Sequence, residues 1–533
     1  MWVELGLVCL VLLFCLYRYI TKKFGYWENF GIPVVKGHFP LGSYNLFCGK
    51  HFDDITVQGH LKHKDERFFG WFIFGKPVLG INDAEIIKTI QVKDFDAFVD
   101  RMDVSLTNSL FSGGEMDQMW AKQLTTITGD HWKAVRSAFT PIFTSGKMKG
   151  MLKFLKHVSE YLVDELNKKA ENGEEFELKE VFGKFSIDAL ASSAFGVDGQ
   201  SFTNKDSPFV KNAAIIFGQS MWDWLVISVN LIPGVRRLTK SLKLNTFRPK
   251  ETKFFVNIIR KTIEDRKAAK TRKNDLVDLM LNSIKDDGEE IEDFVIEDQG
   301  QYDKDMKLQN SKKGKHNLDE TNVIATALVL LTAGYDTTGI TISYVAYEMA
   351  NNTEMQKKLQ NEIDEAFEAA GGEMPDYNVI QSLPYLEMVI SETLRFHPPV
   401  GGNTRTVTKD SYTIPGTNIT LKRNDLVSWN AHHLHRDPNH WEKPDEFYPE
   451  HFSKEAKANR NPYAFQTFGQ GPRACIGMRF ALLEAKVAVL DTFRHVALKP
   501  GTKTKLPLEL DFNSQLAWAK GGLWVTAERR ADI

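Results

Sequence analysis

The segment Phe468-Gly-Gln-Gly-Pro-Arg-Ala-Cys475-Ile-Gly477 constrains this chain more than any other. Two glycines precede the cysteine and one follows it two residues later. Glycine reaches left-handed and bulged backbone that other residues avoid, so Gly469 and Gly471 predict tight turns. Gly477 leaves no side chain to obstruct a flat ligand. Downstream, Ile476, Phe480, Leu483, Val487 and Leu490 fall on one helical face, which sets Cys475 just ahead of a helix N-terminus. Unpaired N–H groups and the helix dipole favour a thiolate there.

A thiolate beside flat, glycine-lined backbone suits axial ligation of haem iron, where it pushes electron density onto the metal and favours O–O cleavage. The bland alternative is a structural cysteine in a Gly-rich turn. Against it stands the full F-x-x-G-x-R-x-C-x-G pattern, whose chance occurrence in one chain is on the order of 10⁻⁴. The remaining cysteines, Cys9, Cys15 and Cys48, form no C-x-x-C pair, which argues against a disulfide framework or a thiolate zinc site. The formal net charge of −2 gives no global bias toward nucleic acid.

From Met1 to Ile20 only Glu4 and Arg18 are charged, and Leu5 to Leu16 is unbroken apolar. About 20 such residues span a bilayer as a helix. Arg18, Lys22 and Lys23 follow the run, so the positive-inside rule puts the rest of the chain in the cytosol. A removed signal peptide is the alternative, but the start is acidic rather than basic. Residues 1–20 are therefore expected to anchor the chain, 21–45 to form a linker with Pro33 and Pro40, and 46–533 to fold as the main domain. Helical periodicity dominates near 148–170, 205–225, 247–284, 319–350, 353–370 and 384–396. Strand patterns occupy 69–81 and 400–430, with a turn at Pro415-Gly416. The polar segment 284–317 reads as an exposed loop.

Further pairs stand out. Glu392 and Arg395 lie three apart on one helix face, as do Trp132 and Arg136 at four apart. Taken alone each is an ordinary surface or core pair. Within the apolar helix near 319–350, Ala333-Gly-Tyr-Asp336-Thr337-Thr338-Gly339 carries two glycines that each cost about 1 kcal/mol relative to alanine. Thr337 can bond back to the carbonyl of Ala333 and bend the helix. The glycines read either as a helix-packing notch or as a groove giving dioxygen room, with Asp336 and Thr337 as a proton-relaying acid–alcohol pair.

These segments, in this order, resemble the landmarks of the cytochrome P-450 family over nearly the whole chain. The resemblance implies a mainly α fold with a small β-sheet region behind one N-terminal transmembrane helix, and haem b with Cys475 as axial ligand. By resemblance Trp132, Arg136, Arg405, Phe468, Arg473 and Gly477 would contact the haem. Glu392, Arg395 and His451 would form the network beneath it, in Pro444-Asp-Glu-Phe-Tyr-Pro-Glu-His451-Phe452, where the family usually has Arg in place of His451. Phe111, Phe217, Leu330, Ala333 and Val400 would line the substrate pocket. The expected reaction is monooxygenation of a lipophilic substrate, xenobiotic or endogenous lipid or hormone. Electrons would come from an NADPH-dependent flavoprotein reductase, perhaps with cytochrome b5, since no dinucleotide fingerprint occurs in the chain. Lys147, Lys149, Arg479 and Lys486 are candidates for steering that partner. The expected location is the endoplasmic reticulum membrane, single-pass, facing the cytosol. Alternatives are a haem-thiolate isomerase and a non-enzymatic haem- or lipophile-binding membrane protein.

Overall fold

The computed structural model describes residues 2–38, 42–43, 52–73, 75–101, 113–204, 206–217, 237–238, 240–245, 248–269, 275–283, 318–511, 514 and 516–530. The polar segment 284–317, Phe111 and the side chain of Phe217 lie outside them.

The apolar N-terminal run is a helix, α1 (Trp2–Thr21), with Leu7, Leu10, Val11, Leu13 and Phe14 exposed. The stretch behind it, expected as a linker, is tied to the sheet at Trp27 and Val34. Trp27 is fully buried in one apolar cluster with Phe68, Phe72 and Leu79. A Cβ on Gly70 would fall 2.4 Å from its indole, and Val34 bridges Gly70 in parallel. Gly31 and Gly42 bend this stretch at φ of 68° and 76°, while the large apolar area of an indole favours burial over a free tether.

Helices α2 (Gly129–Phe139), α3 (Ser145–Asn172), α4 (Leu178–Leu190), α5 (Pro249–Ala269), α6 (Glu320–Asn351), α7 (Thr353–Ala369), α8 (Pro384–Phe396) and α9 (Met478–His495) carry the main core. Local signals set their ends. α3 stops at left-handed Gly173, α8 starts on Pro384, and α6 opens with a capping box in which Asp319 and Asn322 bond each other's backbone N–H. Strands β1 (Phe68–Ile73), β2 (Lys76–Ile81), β3 (Phe176–Glu177), β4 (Gly402–Thr406), β5 (Ser411–Thr413), β6 (Thr420–Lys422), β7 (Leu426–Asn430), β8 (Val496–Pro500) and β9 (Trp524–Arg529) make sheets ordered β1-β2-β7-β4, β3-β9-β8 and β5-β6. In the first, β1 and β2 pair antiparallel with Phe68 opposite Ile81, and β2 runs parallel to β7 with Val78 opposite Leu426.

α6 is long and apolar enough to cross a membrane, but 78% of its apolar window is buried inside the protein. Its apolarity is that of a core helix. It packs on α4, α5, α8 and α9. Between Asn322 and Ala350 every residue is buried except Leu330, Ala333, Gly334 and Thr337. Their i, i+3, i+4, i+7 spacing is one face of a helix, so α6 has a single open stripe in an otherwise packed circumference.

Candidate functional site

The cysteine loop is held by backbone. Gly469 and Gly471 adopt φ of 65° and 67°, and a Cβ on Gly471 would sit 2.1 Å from the carbonyl oxygen of Gln91. Both φ values lie where L side chains are strained, so the predicted turns form there. The Cys475 N–H donates to Phe468 O at 2.8 Å, and α9 starts at Met478 with Gly477 as its N-cap. A Cβ on Gly477 would meet no atom within 4 Å, so space lies beside the cysteine. Burial pushes the Cys475 thiol up; the N–H groups of Gly477 and Met478 and the guanidiniums of Arg136 and Arg101 oppose it. Burial wins in the protein alone, so the thiolate expected from the helix terminus needs a further positive partner such as a metal.

Arginines converge on this loop. Arg473 is buried and stacks on Trp132 at 3.8 Å; it donates to Val99 O (2.8 Å), Leu124 O (3.4 Å) and Ile127 O (3.1 Å) and lies 3.7 Å from Asp100. Arg101 Nη2 donates to Arg473 O at 2.5 Å, while its Nε is buried without an acceptor. Arg405, on β4, lies 5.3 Å over Trp429 and donates to Thr404 O, and its Nε also lacks an acceptor. Arg136 is buried on α2. Burial, then the neighbouring guanidiniums of Arg101 and Arg405, push Arg473 down to about 7; Asp100 opposes, and Arg136 adds to the repulsion. Burial lowers Arg405 well below its usual range, with Arg101 adding to the shift. Arginine does not deprotonate in proteins. A buried cluster that repels itself and keeps donors without acceptors is complementary to an anion, and the two propionates of a haem fit it. Sequence reading named Arg136, Arg405 and Arg473 but missed Arg101, whose only signal was a lone Arg in Asp94-Phe-Asp-Ala-Phe-Val-Asp-Arg101.

On α6, Thr337 Oγ1 donates to Ala333 O at 2.7 Å, the back-bond anticipated from the sequence. Thr337, Ala333 and Leu330 lie on the open stripe. The two glycines divide from that picture. A Cβ on Gly334, at the edge of the stripe, would press on Leu190 at 3.1 Å and one on Gly339 would reach Gly183 Cα at 3.4 Å, so both glycines lie against α4 and the stripe opens on the side of Leu330, Ala333 and Thr337. Asp336 is buried and faces Lys179 of α4, Oδ1 to Nζ 2.8 Å. Successive residues diverge by about 100° around a helix, so Asp336 and Thr337 do not share a face.

The network on α8 is closed. Arg395 holds Glu392 through two parallel bonds, Nε to Oε2 at 2.8 Å and Nη2 to Oε1 at 2.7 Å, with both side chains fully buried. Its remaining donors reach His435 O, Pro444 O and Glu446 O. His451 Nδ1 lies 3.1 Å from Glu392 Oε2, and its Nε2 meets Glu442 O. Each ring nitrogen therefore faces an oxygen, and His451 occupies the place against Glu392 where the family usually has an arginine. The network reaches the cysteine loop through His435 Nε2, which accepts from the Gln466 N–H at 2.8 Å, and through Thr467 Oγ1, which donates to Leu394 O at 2.9 Å.

Phe468 and Leu330 are half-buried, and Val400 is 44% exposed. Phe111 and the Phe217 side chain fall outside the described residues. Of the lysines and arginine expected to steer a partner, Lys147 and Lys149 are exposed and Arg479 is half-buried. Lys486 is not a surface charge. It is 2% exposed, 2.8 Å from Glu387 and 3.1 Å from Gln381, because its position on α9 faces α8 and its neighbours rather than solvent.

A model of the cytochrome P450 family matches residues 37–523. The chain is 34% identical over 502 residues to cytochrome P450 3A6 of Oryctolagus cuniculus, covering 93% of this chain and 91% of the rabbit protein. It is 33% identical over 521 residues to cytochrome P450 3A14 of Cavia porcellus, covering 97% and 95%. Against cytochrome P450 3A2 of Rattus norvegicus it is 31% identical over 521 residues, covering 96% and 93%.

Proposed function

The chain belongs to the cytochrome P450 family, and we propose that the Cys475 loop, the arginine cluster and the open stripe of α6 form its haem and oxygen site. It is a haem-dependent monooxygenase, and its cofactor is haem b with a cysteine thiolate as axial ligand. When bound, that group activates dioxygen so that one oxygen atom enters a lipophilic substrate and the other leaves as water, with two electrons and two protons consumed.

Cys475 is the ligand, delivered by a glycine-held loop at a helix start. Arg101, Arg136 and Arg405 would hold the propionates, and Arg473 on Trp132 ties the loop to the carbonyls of Val99, Leu124 and Ile127. Thr337 gives its own proton to Ala333 O, so its oxygen meets the open stripe as an acceptor. Asp336 holds proton traffic on the α4 side, where Lys179, about a quarter exposed, stands between it and solvent. Leu330, Ala333 and Val400 form part of an apolar pocket, which favours foreign or endogenous lipophiles.

Electrons come from a membrane-bound NADPH-dependent flavoprotein reductase, with cytochrome b5 as a second donor. The exposed Lys147 and Lys149 suit an acidic docking face. α1 anchors the chain by a single pass in the endoplasmic reticulum membrane with the catalytic domain in the cytosol. The support for this is its run of exposed apolar side chains followed by Arg18, Lys22 and Lys23.

The observation that carries the reading is the cysteine set at the start of α9 beside buried, under-neutralised arginines. Its test is the spectrum of the ferrous, carbon-monoxide-bound protein. The red-shifted Soret band of thiolate ligation is expected, lost in Cys475→Ala, with product formation that requires NADPH and reductase. A band that survives Cys475→Ala, or turnover without NADPH, overturns it.

A further inference from the structure

Behind the open stripe, α9, α4 and α6 meet at one buried hydroxyl. Ser186 Oγ of α4 lies 2.5 Å from Glu484 Oε1 of α9 and 2.9 Å from the backbone oxygen of Tyr335 on α6. All of it is interior: Ser186 and Glu484 are fully buried. A serine hydroxyl has one proton, and a backbone carbonyl only accepts. Were Glu484 ionised, it would also only accept, and one proton would face two acceptors. A single assignment satisfies both contacts: Glu484 donates to Ser186 Oγ, and Ser186 donates to Tyr335 O.

The surroundings agree. Glu484 Oε2 is buried with no hydrogen-bond partner, which is costly for a carboxylate and tolerable for the carbonyl oxygen of a neutral acid. The lysines on these helices are engaged elsewhere among the described residues: Lys486 with Glu387, Lys184 with Glu180 and Glu165, Lys179 with Asp336. Burial raises the Glu484 carboxyl well above its usual range.

We propose that Glu484 is a neutral, proton-donating positioning residue that, through Ser186, pins the backbone of α6 at Tyr335 against the helix that follows Cys475. This rests on the monooxygenase reading, since Tyr335 directly precedes Asp336 and Thr337. The pin acts on the same helix, α4, that presents Lys179 to Asp336. Ser186 and Lys179 lie seven residues apart on one face of α4, so the acid, its lysine and the notch backbone are registered together.

The test uses the full chain, haem-loaded and reconstituted with reductase, in wild type, Glu484→Gln, Glu484→Ala and Ser186→Ala forms. With isotope-labelled glutamate, infrared spectra of the wild type at neutral pH should contain the C=O stretch of a protonated carboxyl that disappears in Glu484→Gln. Glutamine still donates an N–H to Ser186, so product formed per NADPH should stay near wild type there. It should fall severalfold in Glu484→Ala and in Ser186→Ala, with the diverted electrons recovered as peroxide. The carbon-monoxide band should persist in every variant. Absence of the protonated-carboxyl band, or Glu484→Ala and Ser186→Ala coupled as tightly as wild type, overturns the proposal. Glutamine failing where alanine succeeds does so as well. Loss of the carbon-monoxide band in the wild type itself would instead sink the monooxygenase reading.

Discussion

The molecule contains two buried arginine centres that differ in their bookkeeping of charge. Around Arg395 every donor meets an acceptor, a bidentate carboxylate and three carbonyls, and the His451 imidazole shares the same carboxylate. Around Cys475, among the described residues, Arg473 lies beside Asp100, while Arg101 and Arg405 each keep a buried Nε without an acceptor. The first arrangement is complete as protein and belongs to the architecture. The second is complete only with an added anion, which is how a binding site differs from a structural lock. Buried charge that is paired holds a fold in register; buried charge left short of a partner is a demand for a ligand.

Substitution should separate the two centres. The largest effect is expected at the closed one. Glu392→Gln leaves Arg395 charged and buried without a counter-ion, a loss of about 3–5 kcal/mol. Denaturant unfolding should show it with or without haem, along with little haem-loaded protein. At the open centre, Arg405→Leu removes a charge that the protein alone does not neutralise. Haem should dissociate faster, by the equivalent of about 1.5–3 kcal/mol for lost charge-assisted bonds. The haem-free protein should melt no lower, and preferably higher, than wild type. Equal destabilisation of the haem-free form in both variants would erase the distinction.

Two histidines sharpen the comparison further. His451 has an acceptor at each ring nitrogen, whereas His60 gives its one Nδ1 proton to Asn82 Oδ1 at 2.6 Å and stacks on His433. Burial, helped by His433, pushes His60 down to about 3 despite the Asn82 bond. The unfolded chain thus binds a proton below pH 6.5 that the folded chain refuses. Stability from His60 is full above pH 6.5 and is lost as pH falls from there toward 3, at up to about 1.4 kcal/mol per pH unit. His60→Gln should flatten that slope in pH-dependent unfolding. The smallest effect is expected for His451→Arg, which keeps an N–H donor against Glu392; haem loading by absorbance should be close to wild type.

Much of the proximal side was legible in one dimension because its parts are local. The left-handed glycines, the helix start after Cys475, the Glu392–Arg395 spacing and the Thr337 back-bond all span four residues or fewer, and backbone chemistry decides them. Lys486 shows where that stops: its spacing and charge read as surface, and only the packing of α9 reveals it as a buried partner of Glu387. Trp27 is the same lesson in an apparent linker.

By itself the sequence determined the glycine-held turns around Cys475 and most of the helices, since these rest on short-range geometry and residue chemistry, while the family was legible through the resemblance of its motifs taken together. Tertiary structure alone decided that Gly334 and Gly339 pack against α4, that Asp336 turns to Lys179, that Arg101 joins the arginine cluster, and that Glu484 meets Ser186. Those facts depend on which helix faces come together from segments 100 residues or more apart, and the direction of a side chain between two helices is fixed by the partner it finds there.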